Sequence, residues 1–151
     1  MPHHTAGDKV LEQGEPVVVD MGARYQGYCA DLSRTVVVGG HGDEKFWEVY
    51  ETVLRAQLKA EEDVSPGMTG AEVDAISRDL IGLAGYGENF GHSLGHGVGL
   101  AVHEFPHVGP HAEDVLADGM VFTIEPGIYL SGWGGVRIED ILVLENGRPR
   151  V

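Results

Sequence analysis

A single cysteine, Cys29, stands in a chain of 151 residues. No disulfide can form within the chain, and a reducing compartment is the expectation. Lys and Arg number 10 against 24 Asp and Glu, a formal net charge of −14. That imbalance argues against nucleic acid and against an anionic membrane surface as partners. No stretch approaches the roughly 20 apolar residues that a membrane span needs. Met1 to Thr5 lacks the apolar run of a signal peptide. A cytoplasmic protein is therefore expected. Cys29 lies among apolar neighbours and reads as a small buried hydrophobe rather than a nucleophile.

What is present describes a globular domain. Hydrophobic residues make up 42% and charged residues 23%, which separates the chain from disordered sequences. Its length suffices for one domain with its own core. Glycine concentrates in 82–99 and 127–135, where the backbone must turn or approach a neighbour closely.

Residues 43–63 read as a helix, with Phe46, Trp47, Tyr50, Val53, Leu54 and Leu58 on one apolar face. Glu51 and Arg55 stand four apart in the favourable order. Glu61, Glu62 and Asp63 read as a solvated helix end. Thr69-Gly70-Ala71-Glu72 is a capping box that opens a second helix over 70–84. Val73, Ile76, Leu80 and Leu83 continue its buried face, and Gly85 closes it in a left-handed conformation. Beyond it come short extended pieces, then strands at 120–125 and 136–144. Helices and antiparallel strands are segregated rather than alternating, which indicates α+β.

The chemistry starts in the stretch 17–38. Two Val-rich runs flank a polar, Gly-bearing centre, a hairpin signal. A hairpin symmetric about Tyr25-Gln26 sets Asp20 directly opposite Asp31, their β-carbons about 5 Å apart. Two like charges that close, among valines, repel and are poorly hydrated. A bound cation resolves the conflict; carboxylates that face water are the simpler alternative. Further candidate ligands follow. His96 sits in a Gly-flanked turn, Glu125 ends an apolar strand before Pro126-Gly127, and Glu139 lies between apolar residues. Carboxylate-rich sites with one imidazole suit Mn²⁺, Co²⁺ or Zn²⁺.

The order Asp, Asp, His, Glu, Glu, in the segments VVVDMGARYQGYCADLSRT, GHSLGHGVGLAVHEFP, TIEPGIY and GVRIED, resembles the dinuclear metallopeptidases of the pita-bread fold. That group includes methionine aminopeptidases, Xaa-Pro aminopeptidases and Xaa-Pro dipeptidases. The resemblance implies a creatinase/aminopeptidase-like α+β fold, a curved antiparallel sheet with helices on its outer face. It implies two divalent ions, Mn²⁺ first. Asp20 would bind one, His96 with Glu125 the other, and Asp31 and Glu139 would bridge both. The spacing of His92 before His96, the short interval from Glu125 to Glu139, and the TIEPGIY and VRIED phrases are closer to the Xaa-Pro branch.

By the same resemblance, His92 and His103 contact substrate and stabilise an oxyanion, and Glu125 shuttles a proton. His3, Tyr129 and Arg137 line or brace the site. His41, His107 and His111 match nothing in the pattern and read as loop residues. The expected substrate is a peptide with proline at its second position. A methionine-type aminopeptidase and a non-catalytic pita-bread binding module are the alternatives, and a homodimer is compatible with the family. Family catalytic domains run longer, so residues 1–151 are expected to be a partial catalytic domain lacking the family's N-terminal part. An open sheet edge and exposed apolar helix faces should accompany that.

Overall fold

The computed structural model describes residues 7–151. Two long strands come first, β1 (Pro16–Tyr25) and β2 (Tyr28–Val37). Two helices follow, α1 (Glu44–Asp63) and α2 (Gly70–Leu83). Seven short strands complete the chain: β3 (Gly95–Gly97), β4 (Glu104–Val108), β5 (Val121–Ile124), β6 (Gly127–Leu130), β7 (Gly134–Arg137), β8 (Asp140–Glu145) and β9 (Arg148–Arg150). All ladders are antiparallel. Their orders are β1-β2, β4-β3-β5-β8-β9 and β6-β7.

The ladders are stitched together at β2. Glu139 N–H donates to the Ser33 carbonyl at 3.1 Å. The Thr35 hydroxyl donates to the Arg137 carbonyl at 2.8 Å and accepts from the Arg137 N–H at 3.0 Å. The strand expected over 136–144 is thus two, β7 and β8, with Glu139 in the break between them. The strand expected over 120–125 is β5, which ends before Pro126; a new strand, β6, begins at Gly127 and pairs with β7.

Both helices start where the sequence places them. Asp43 accepts from Phe46 N–H at 2.7 Å and caps α1. Thr69 and Glu72 form the reciprocal capping box of α2. Gly85, at φ +87°, ends α2, with Gly85 N–H bonded to Gly82 and Tyr86 N–H to Ile81.

The buried faces are rotated from the expected ones. α1 buries Phe46, Val49, Thr52, Val53, Ala56, Gln57 and Ala60, while Trp47 and Leu58 are about half exposed. The reason is close helix packing: the Ser77 hydroxyl on α2 donates to the Ala56 carbonyl at 2.8 Å, which only small residues on α1 permit. On α2, Ile81 is buried, whereas Leu83 is 88% exposed. Among the described residues no ion pair joins Glu51 and Arg55; on α1 the i,i+4 pair that forms is Lys59–Asp63.

The core joins both helices to β5, β6, β7 and β8 through Val53, Ile81, Leu94, Phe122, Ile124, Ile128, Val136 and Leu142. Each such side chain contributes about 1.5–3 kcal/mol by burial. The opposite face of the β1-β2 hairpin is bare. Val19, Met21, Tyr25, Tyr28 and Val36 are 37–76% exposed.

Candidate metal centre

The hairpin turns one residue later than its symmetry suggested. Gln26 and Gly27 both take positive φ, +50° and +93°, the two-residue turn that suits twisted strands. Asp20 therefore opposes Ser33, and Asp31 opposes Gly22. The two aspartates are diagonal neighbours on one face, not a facing pair, and diagonal positions lie about 7–8 Å apart.

His96 is the middle residue of β3 rather than part of a turn. β3 is wedged between β4 and β5, and its glycines permit this. A Cβ at Gly95 would stand 1.9 Å from the Thr123 carbonyl oxygen, and one at Gly97 would stand 2.1 Å from that of Phe105. His96 N–H donates to the Thr123 hydroxyl at 3.1 Å. Its Nδ1 lies 3.1 Å from the Gly97 carbonyl, so a proton on Nδ1 leaves Nε2 facing the carboxylates. Nε2 is 3.1 Å from Glu125 Oε1 and 3.8 Å from Asp31 Oδ2.

Glu125 follows β5 directly. Its N–H donates to the Leu94 carbonyl at 2.7 Å, and its Oε1 accepts from the Thr123 hydroxyl at 3.1 Å. Glu139 is 2% exposed. Ligand atoms of Asp31, His96 and Glu139 all lie within 4.8 Å of one another. Asp20, Asp31, His96, His103, Glu125, Arg137 and Glu139 line one cavity of about 490 Å³. A second lobe of about 330 Å³ shares His96, His103, Glu125 and Arg137 and adds His92 and His107.

The charges are in conflict without a cation. Burial, then Glu125 and Asp31, push the Glu139 carboxyl up to about 7, against a Ser33 hydrogen bond. Burial and Asp20 likewise raise Asp31. Burial disfavours the charged form of His96, but the Glu125 hydrogen bond, the Gly97 carbonyl and Asp31 outweigh it and raise its pKa. Burial would raise Glu125, but His96 overrides it and holds Glu125 below the usual carboxylate range. A divalent ion would displace these protons. The donor set fits one: three carboxylates surround an imidazole whose far nitrogen is fixed by a carbonyl, the outer-shell arrangement that orients histidine ligands.

Arg137 braces the rim. Its Nε donates to the Ser33 hydroxyl at 2.9 Å, Nη1 to the Tyr129 hydroxyl at 3.1 Å and Nη2 to Asp20 at 2.6 Å. The Tyr129 oxygen also lies 3.0 Å from His92 Nε2. The His103 ring stands 4.1 Å from that of His96. His3 lies outside the described residues.

Several site residues escaped the sequence reading. Cys29 is half-buried and lines the cavity, and its N–H donates to the Gly99 carbonyl at 2.7 Å. His107 belongs to β4 and lines the second lobe, its Nδ1 3.1 Å from Asp114. Ser33 and Thr123 reach ligands directly. Hydroxyls carry no spacing signal, so only the strand register reveals them.

The sequence matches metallopeptidase family M24 over residues 1–146. It is 56% identical over 152 residues to an Xaa-Pro dipeptidase of Pyrococcus horikoshii, covering all of this chain and 43% of that protein. The prolidase crystal structure from P. horikoshii superposes with a TM-score of 0.96 at 53% identity, over 99% of this chain and 43% of that one. An X-Pro aminopeptidase structure from Thermotoga maritima gives 0.95 at 45% identity, over 99% and 42%. The chain thus spans less than half the length of these relatives, and its fold is the α+β pita-bread fold of the prolidases. It belongs to metallopeptidase family M24.

Proposed function

We propose that residues 1–151 carry the metal centre of a dinuclear peptidase that cleaves Xaa-Pro bonds. The observation that carries this reading is the meeting of Asp31, His96 and Glu139 donor atoms within 4.8 Å, with Glu125 3.1 Å from the same imidazole. Family membership implies divalent metal; two ions, with Mn²⁺ as the native choice, are our reading of the donor set. Asp31 and Glu139 would bridge, Asp20 would complete one ion's ligands, and His96 and Glu125 the other's.

Two bound ions would supply an activated water and a polarised carbonyl. The chain's own groups do the rest. Glu125, held ionised by His96, accepts the proton of the attacking water and returns it to the leaving imino nitrogen of proline. His92 and His103 donate hydrogen bonds where the oxyanion develops. Arg137 keeps Asp20 and Tyr129 at their stations. A tertiary X-Pro amide has no N–H to offer, so recognition rests on the apolar ring and the peptide's terminal charges.

The test is Mn²⁺-dependent hydrolysis of a Gly-Pro dipeptide, an Xaa-Pro tripeptide and a Met-Ala peptide. Cleavage at proline supports the reading and separates dipeptidase from aminopeptidase. Preference for Met-Ala would move the chain to the methionine branch. The bare hairpin face favours one other reading, a binding module. Metal uptake without turnover of any peptide would establish it.

A further inference from the structure

Residues 90–94 belong to no strand, yet they carry His92 to the lip of the cavity. Their backbone is held from α2. Arg78 donates from Nη1 to the Phe90 carbonyl at 2.9 Å and from Nη2 to the His92 carbonyl at 2.8 Å. Its guanidinium lies 4.2 Å above the Phe90 ring. The other edge of the fork is locked by Asp74, with Nε–Oδ2 at 2.6 Å and Nη2–Oδ1 at 2.9 Å. Asp74 Oδ1 also accepts the Leu94 N–H at 3.0 Å, and the Leu94 carbonyl accepts the Glu125 N–H.

We propose that Asp74 and Arg78 are a positioning pair that sets the His92 imidazole against Tyr129 and the Leu94–Glu125 contact beside it. Stability alone does not call for them. Asp74 is 1% exposed, and a buried ion pair is often matched or bettered by apolar residues of the same size. What apolar residues cannot do is bind two carbonyls and one N–H of the same segment. Only a planar fork reaches a carboxylate and two carbonyls together; an ammonium does not. The pair thus converts a loop without a ladder into a support of fixed geometry. Its consequence for turnover rests on the proposed peptidase function, whereas its hold on the ring does not.

Arg78→Lys keeps the charge and the helix but loses the fork. With histidine ring nitrogens labelled, the His92 resonances should shift or split in this variant, while those of His107, held separately by Asp114, stay in place. Asp74→Asn should move the same His92 resonances and speed exchange of the Leu94 amide about tenfold, the loss of one charge-assisted bond. A folded Arg78→Lys chain with unchanged His92 resonances would overturn the proposal. The parent chain gives a test that needs no variant. Leu94 N–H should exchange at least about tenfold more slowly than Gly91 N–H, and equal rates would also sink the idea. Where the parent hydrolyses Gly-Pro, Arg78→Lys should lower kcat about 10–100-fold with KM nearly unchanged, the cost of misplacing a catalytic group. A parent inactive on every peptide would defeat the peptidase reading and leave the ring measurements to decide the pair.

Discussion

Arg137 Nη2 lies 2.6 Å from Asp20, although Arg137 is 3% exposed and the Asp20 side chain 50% exposed. The buried guanidinium is spread over Ser33, Tyr129 and Asp20. Arg137→Lys cannot satisfy three partners that point in different directions. Its stability should fall by about 1–3 kcal/mol, read as a lower urea midpoint with unchanged slope. An unaltered midpoint would mean that the fork is dispensable.

The ligand roles proposed above predict unequal losses of metal. Asp31→Ala and Glu139→Ala should each abolish binding of both ions, since each is assigned a bridging place. Asp20→Ala should weaken mainly one, because its carboxylate stands at the exposed edge. Metal content after gel filtration measures this. An Asp31→Ala protein that retained two ions would contradict the bridging assignment.

How much of this was legible in advance depends on the kind of interaction. The metal-ligand candidates from Asp20 to Glu139 could be named from the sequence, because charged residues among valines and glycines are conspicuous. The capping box of α2 was equally plain, being a local contact of four residues. The hairpin register was not, because it depends on whether Tyr25-Gln26 or Gln26-Gly27 turns, and only Gly27 accommodates its φ of +93° without strain. The buried stripe of α1 misled for another reason. Bulky residues such as Trp47 attract attention, whereas helix packing selected Ala56 and Ala60.

Glu61 extends the same point and yields a pH prediction. It does not sit in a solvated helix end. One of its oxygens is buried without a hydrogen-bond partner among the described residues. Burial, with Asp140 adding and Arg34 opposing, pushes its carboxyl up to about 7. A raised carboxyl favours the fold while it is protonated. Its contribution is complete below the ordinary value of 4.5 and is lost as pH rises through about 7. The metal-free chain should therefore lose urea resistance between about pH 5 and about pH 8, and Glu61→Gln should remove part of that decline, the rest coming from Glu139, whose carboxyl is likewise pushed up to about 7. A variant whose pH profile parallels the parent would show that Glu61 titrates normally.

Two glycines four residues apart should respond oppositely to the same methyl group. At Gly91 nothing lies within 4 Å of an added Cβ, and its φ is not positive. Gly91→Ala should therefore leave stability within about 0.5 kcal/mol of the parent. At Gly95 the methyl meets the Thr123 carbonyl oxygen at 1.9 Å and its hydroxyl at 2.9 Å. Neither group can retreat: the hydroxyl accepts from His96 N–H and donates to Glu125. Gly95→Ala must push β3 away from β5 and carry His96 with it. We expect a loss of about 3 kcal/mol or more, at the upper end for overpacking, together with weakened metal binding. Thermal melts with and without Mn²⁺ separate the two effects. A Gly95→Ala chain that melts like the parent and gains the same stabilisation from Mn²⁺ would show that the close approach of β3 to β5 is not what places His96.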